Sequence, residues 1–302
     1  MSAAPASHSA RAAWSVDSIP YDTLDPARVR DDTLPFYMIS SASLVEFASG
    51  VYTRNLTEFF HDDDEVVDWL TQSWEKEELQ HGEALKRYVQ AAWPDLDWES
   101  AYEGFIAELL PCYSVDRLAP TRALEMVGRC VVESGTAAFY RMMSSLATEP
   151  VLKQVASRIS VDEVRHYKHF YRYYLRYREI EKPGRSAVLS MLWARASEID
   201  AEDVVYAVKH ILRVHNLRVR WHRSKYEAVR NASLRRARCY YPYTMATKML
   251  LKPLGLSAAV SRVVAPAAAA TTRLFFLREG GYASRMLHHL KAGSFAGKLE
   301  LD

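Results

Sequence analysis

Apolar residues recur along this chain at helical spacing, in long blocks separated by short polar or proline-containing breaks. A short apolar patch begins at Leu34. A first helix is expected over about 38–60, through Leu44-Val45-Glu46-Phe47-Ala48-Ser49-Gly50. His61-Asp62-Asp63-Asp64 ends it and caps the next, since Asp is favoured at the N-cap and in the first turn. The second helix runs over about 63–92, to Trp93-Pro94-Asp95, and a shorter one near 97–109 crosses to Pro111. A third is expected over about 120–147 and a fourth over about 150–179, with Thr148-Glu149-Pro150 as the turn between them. Beyond Pro183 two or three further helices are expected: one over 185–198, and a long one from Asp200 to about 232.

Composition agrees with an all-α chain. Gly and Pro number only 11 and 12 of 302 residues, too few for a turn-rich β fold, and 49% hydrophobic residues can fill a sizeable core. The organisation read from the pattern is an irregular arm (1–33), a helical bundle (34–182), additional helices with a basic surface (183–277) and a tail (278–302). Three cysteines, Cys112, Cys130 and Cys239, form no CxxC, so neither a disulfide framework nor a zinc–thiolate site is expected. No secretory signal is evident near the N-terminus, and a cytoplasmic location is expected. Leu254–Leu277 is apolar, but Arg262, Pro266 and Arg273 interrupt it, and it does not read as a membrane span.

Charge changes the picture. The net charge is +2, yet residues 1–200 carry a balance of −10 and residues 201–302 one of +12. The candidate chemistry lies in the acidic part. In Trp74-Glu75-Lys76-Glu77-Glu78-Leu79-Gln80-His81-Gly82, Glu78 and His81 stand three residues apart, on one helix face. Asp162-Glu163-Val164-Arg165-His166 repeats the pattern with Glu163 and His166. A single Glu-x-x-His arises by chance on any acidic helix; two of them, on aromatic-rich helices, call for a common explanation.

Helix arithmetic supplies one. Residues equally far from a tight turn between antiparallel helices lie at the same height. Glu46 precedes a turn at 62 by 16 residues and Glu78 follows it by 16; Glu133 precedes a turn at 148 by 15 and Glu163 follows it by 15. All four carboxylates then stand roughly 22–24 Å from their turns, at ~1.5 Å per residue. Glu46, Glu78, His81, Glu133, Glu163 and His166 form the ligand set of a carboxylate-bridged two-metal site in a four-helix bundle. Four carboxylates and two imidazoles suit iron, with manganese as the alternative, better than zinc, and balance two divalent charges. Asp162 and Glu77 each precede a ligand Glu and point about 100° away from it, toward the neighbouring helix. Asp162 is expected to orient His81, and Glu77 to orient His166. Small residues Ala48 and Gly135, with Thr136, are expected to line the open side of the site. His210, His215 and His222, five and seven apart, are expected to be ordinary packing or surface residues.

These motifs resemble the ferritin-like di-iron carboxylate superfamily, and within it the soluble acyl-(acyl carrier protein) desaturases. Trp74-x-x-Glu77-Glu78-x-x-His81-Gly82 is similar to that family's first metal motif, Asp162-Glu163-x-Arg165-His166 to its second, and Glu133-x-x-Thr136 to the ligand helix whose threonine faces the dioxygen pocket. The likeness covers about 40–180; residues 185–302 have no counterpart in it. It implies a ferritin-like four-helix bundle holding two iron ions, with O₂ as co-substrate and Thr136 in a catalytic position. It also implies electrons from an external ferredoxin or reductase, and desaturation or hydroxylation of an unactivated C–H bond in a small-molecule or carrier-bound acyl or lipid-like substrate. A homodimer is expected. Aldehyde-deformylating oxygenases, the aerobic oxidative cyclase of chlorophyll synthesis and ferritin-type iron oxidation or storage are the alternatives. The basic C-terminal helices, with Arg213, Arg218, Arg220, Arg223, Lys225, Arg230, Arg235, Arg236 and Arg238, are expected to attract an acidic protein partner or, peripherally, an anionic membrane. They hold no nucleic-acid reading motif, and no nucleic-acid partner is expected.

Overall fold

The computed structural model describes residues 14–197, 202–215 and 221–282, with side chains to 274. All regular structure among them is helical. Three short 3₁₀ turns between Val16 and Arg28 lead into α1 (Thr33–Phe47), and α2 (Ser49–Phe59) continues it after a break at Ala48. The helix expected over 38–60 therefore starts earlier and is interrupted. Next come α3 (Asp64–Trp69), α4 (Glu75–Ala92) and α5 (Trp98–Leu109). Between α3 and α4, Leu70–Trp74 forms one π-helical turn. α6 (Arg122–Leu146) and α7 (Pro150–Glu181) pack against each other along their lengths.

Caps set these boundaries. The Asp63 carboxylate accepts the Val66 N–H, Thr121 the Leu124 N–H, and buried Glu149 the Leu152 N–H at 2.7 Å. Each satisfies a first-turn donor that would otherwise be orphaned. Lys182, in the left-handed conformation at φ 48°, closes α7.

α1 packs on α4 and α4 on α7. Buried apolar residues of α1 to α7 fall into two clusters. One gathers Ile39, Leu44, Leu85, Tyr88, Met143 and Ile159, the other Leu56, Leu70, Val127, Cys130, Tyr167 and Phe170. Along α4, α6 and α7 the chain passes from one cluster to the other at 78–81, 133 and 163–166. The polar site thus occupies the seam between two apolar cores, shielded from water at both ends. The tyrosines of α7 belong to the second core, as packing residues.

Gly82 sets the closest approach of α1 to α4. A Cβ there would lie 2.6 Å from Phe47 N and 2.7 Å from Phe47 Cα. That contact holds the neighbours of both residues, Glu46 and His81, beside one another. Gly82→Ala gains about 0.8–1 kcal/mol of helix propensity, yet is expected to lose about 1–3 kcal/mol net through overpacking against backbone. Calorimetry should show a melting midpoint several degrees lower; an unchanged midpoint would mean that the two helices part freely.

Beyond α7 the described residues hold five helices where two or three are expected: α8 (Arg185–Ser197), α9 (Glu202–His215), α10 (Arg223–Ala237), α11 (Tyr243–Leu251) and α12 (Ala258–Tyr282). The single helix expected from 200 to 232 is two helices, with His222 as N-cap of α10, its ring accepting the Ser224 N–H. α12 carries the helical structure past 278 to Tyr282; the rest of the expected tail lies outside the described residues, as do Arg218 and Arg220. Among the described residues one stretch, Thr33–Phe59, is long and apolar enough to cross a membrane by length and composition; 61% of its most apolar 18-residue window is buried inside the protein, and it carries Glu46.

Candidate metal centre

The six residues singled out by spacing stand together. Glu46, Glu78, His81 and Glu163 form one buried group, and Glu78, Glu133, Glu163 and His166 a second; within each, one ligand atom per residue lies within 4.8 Å of the others. Glu78 and Glu163 belong to both groups. Sequence leaves the bridging carboxylates open among Glu78, Glu133 and Glu163; the geometry gives the shared positions to Glu78 and Glu163. His81 Nδ1 lies 3.2 Å from Glu163 and 3.9 Å from both Glu46 and Glu78. His166 Nδ1 lies 2.9 Å from Glu78, 3.6 Å from Glu133 and 3.8 Å from Glu163.

The donor atoms are those a cation would need. His81 Nδ1, His166 Nδ1, Glu133 Oε2 and Glu163 Oε1 are buried and have no hydrogen-bond partner. Orphaned polar atoms at this depth are costly unless something positive sits among them. The far nitrogens are held from outside. His81 Nε2 lies 3.1 Å from Asp162 Oδ2, and His166 Nε2 2.7 Å from Glu77 Oε2. An ionised carboxylate can only accept, so each Nε2 carries a proton and each Nδ1 faces the cluster. Arg165 links the two outer carboxylates, at 2.7 Å from Glu77 and 3.0 Å from Asp162.

Electrostatics agree. Burial, then the neighbouring carboxylates, chiefly Glu78 for Glu46 and Glu163 for Glu133, push Glu46 and Glu133 well above the usual range. Burial alone would lower His81, but the Asp162 bond and the Glu163 carboxylate outweigh it and raise His81 to about 10. His166 is raised in the same way, against its burial, by Glu133, Glu163, Glu77 and Glu78. Burial opposes ionisation of Glu163 too, yet the two imidazoles hold it well below the usual carboxylate range. With no metal, protons supply the positive charge that four clustered carboxylates demand.

Several contributors escape a sequence reading. Trp14, in the arm expected to be irregular, donates from Nε1 to Asp162 Oδ2 at 2.8 Å and stacks on His81 at 6.2 Å, nearly parallel. Tyr140, buried in α6, donates to Glu46 Oε1 at 2.5 Å. Trp74, at the end of the π-helical turn, donates to Glu133 Oε1 at 3.2 Å. That turn shifts the helix register just before the first motif, a feature frequent at functional sites. Thr136 donates to Glu163 Oε2 at 2.8 Å, so its hydroxyl sits on a shared carboxylate. Gly135 faces solvent, and Ala48 is packed in the first apolar core. A Cβ built at Gly135 would meet nothing within 4 Å, so open space lies there, whereas Ala48 is core. His210 packs on Gly104, and His215 on Phe36. The only groups of metal-ligand geometry among the described residues are the two above.

Asp162→Asn and Glu77→Gln are each expected to weaken iron binding by about 10–100-fold, measured by competition with a chelator of known affinity. Unchanged affinity would make both carboxylates mere partners of Arg165.

Comparisons with protein-family models, with curated proteins and with solved structures return no match.

Proposed function

We propose that the chain is a ferritin-like di-iron carboxylate enzyme, its four-helix bundle made by α1–α2, α4, α6 and α7. In this reading it is an O₂-dependent oxidoreductase acting on an unactivated C–H bond of an acyl or lipid-like substrate. The observation that carries the reading is the pair of ligand groups sharing Glu78 and Glu163. Glu46 and His81 would complete one metal position, Glu133 and His166 the other. The donor set is oxygen-rich with one imidazole per position, which suits iron or manganese.

A pair of irons would supply oxidising power that amino-acid side chains lack. The protein's own contribution is positional. Asp162, held by Trp14 and Arg165, and Glu77, held by Arg165, keep both imidazoles in the tautomer that presents Nδ1. Tyr140 and Trp74 fix the terminal carboxylates by donating to Glu46 and Glu133. Thr136 can pass or hold a proton at Glu163 Oε2. The two apolar cores exclude bulk water. An external ferredoxin or reductase would deliver electrons, and the basic C-terminal helices remain the proposed docking face. There Arg236 pairs with Asp32 at 2.6 Å, and Arg223, more than half exposed, pairs with Glu227 at 3.8 Å.

Single-turnover experiments test this. Iron-loaded, chemically reduced protein should consume O₂ in proportion to bound iron and yield an oxidised acyl product by mass spectrometry. Iron accumulating far beyond two per chain, with no organic product, would instead mean iron storage.

A further inference from the structure

A cavity of about 390 Å³ opens between α2, α6, α8 and the segment before α6. That volume falls within the range of small-molecule sites, about 300–1,000 Å³. Leu56, 1% exposed, and Arg129, with a side chain 13% exposed, lie at its base; Arg117 and Glu202, 58% and 46% exposed, pair at its rim.

Arg129 is the telling residue. Its Nε donates to Glu125 Oε1 at 2.8 Å, and the other oxygen of Glu125 accepts the Ala119 N–H at 2.8 Å. Glu125, itself fully buried, is shared with Arg195 at 3.7 Å. The carboxylate therefore holds the guanidinium by one edge. The two terminal nitrogens of Arg129 make no hydrogen bond with any described residue, and Arg129 lines the cavity. A planar fork of donors lining the cavity, on a side chain that is 13% exposed, matches a carboxylate in bidentate geometry. The remaining wall is mixed. Leu56, Leu118 and the rings of Tyr52 and Tyr113, which meet edge to face at 4.9 Å with their hydroxyls turned to Asp203, give an apolar side; Asn55, Ser114, Arg117 and Glu202 give a polar one.

We propose that this cavity binds an organic monocarboxylate with an apolar body, its carboxylate on Arg129. Arg129 and Glu133 lie four residues apart on one face of α6, ~6 Å of rise. A molecule anchored there begins one helical turn from the candidate metal centre. That the bound molecule is the substrate rests on the di-iron reading; the binding itself does not.

The test uses the full-length, metal-free chain and isothermal titration calorimetry with octanoate, octanol and inorganic phosphate. Octanoate should bind at least about tenfold tighter than octanol or phosphate. Arg129→Met should weaken octanoate on the order of 10–100-fold, as for lost charge-assisted hydrogen bonds, and leave octanol unchanged. Ser114→Trp, at the exposed rim and without a bond to lose, should block octanoate while circular dichroism stays that of the parent. Octanoate binding no tighter than octanol, equal phosphate binding, or both variants binding as the parent does would overturn the proposal. Iron stoichiometry, measured separately, reports on the metal centre alone, so either idea can fail without the other.

Discussion

Replacing His166 by alanine is expected to lower bound iron from two per chain to about one and to slow O₂ consumption by more than about 100-fold. The outer partner of a ligand is worth about 10–100-fold; loss of the ligand itself removes the nitrogen that faces Glu78, Glu133 and Glu163. It also leaves Glu77 held by Arg165 alone. The three carboxylates would then share one less neutralising group at a site sealed by two apolar cores, and a buried group left without its partner is strongly unfavourable. His81→Ala should empty the other position, which Glu46 completes. Elemental analysis after anaerobic loading and a single-turnover oxygen electrode measurement check both variants. Two irons retained in either would remove that histidine from the ligand set.

A steep pH dependence is the second large effect. In the metal-free protein Glu46, Glu133, His81 and His166 are all shifted upward, His81 to about 10. Each folded-state value lies above that of the unfolded chain, so the folded apoprotein holds extra protons. Stability from that source is complete below the unfolded values and is lost as pH rises through the folded ones. Apoprotein stability should therefore fall from about pH 4.5, the ordinary value of Glu46 and Glu133, and further above pH 6.5, the ordinary value of histidine, toward pH 10. Metal binding displaces those protons. If two leave per chain, affinity rises about 100-fold per pH unit across the neutral range. The increase in melting midpoint on iron loading should consequently grow between pH 6 and 8. A pH-independent increment would mean that the cluster is already ionised without metal and that the carboxylates do not act together.

The legible part of this site was the part written in local spacing. Glu78 with His81 and Glu163 with His166 share helix faces by chain chemistry alone, and Glu46 and Glu133 follow from equal distances to turns that Asp63 and Glu149 mark as caps. Asp162 and Glu77 follow as well, because the residue before a ligand points to the neighbouring helix. What lay beyond reach depends on packing between distant segments. Trp14 sits in an alanine- and serine-rich arm with no periodicity, and only the fold brings its indole to Asp162, 148 residues away. Tyr140 reads as one more core aromatic until Glu46 is seen across from it. The break at Ala48 carries no proline; it falls next to the close approach of Phe47 to Gly82. Arg129 and Glu125 gave no signal, since an Arg four residues after a Glu is the commonest of surface pairs, and here it is buried. The C-terminal helices were under-counted because basic residues obscure their apolar faces; in α10, Tyr226, Ala228 and Val229 are buried among arginines.

In the proposed reading six side chains would hold two metal ions, with Glu78 and Glu163 serving both positions. That arrangement is tested most directly by anomalous diffraction at the iron edge, on crystals loaded with Fe(II) without oxygen. Two peaks about 3.5–4 Å apart, the usual spacing of paired metal sites, are expected between Glu78 and Glu163, one beside His81 Nδ1 and the other beside His166 Nδ1. A single peak, or iron bound only elsewhere on the chain, would contradict it.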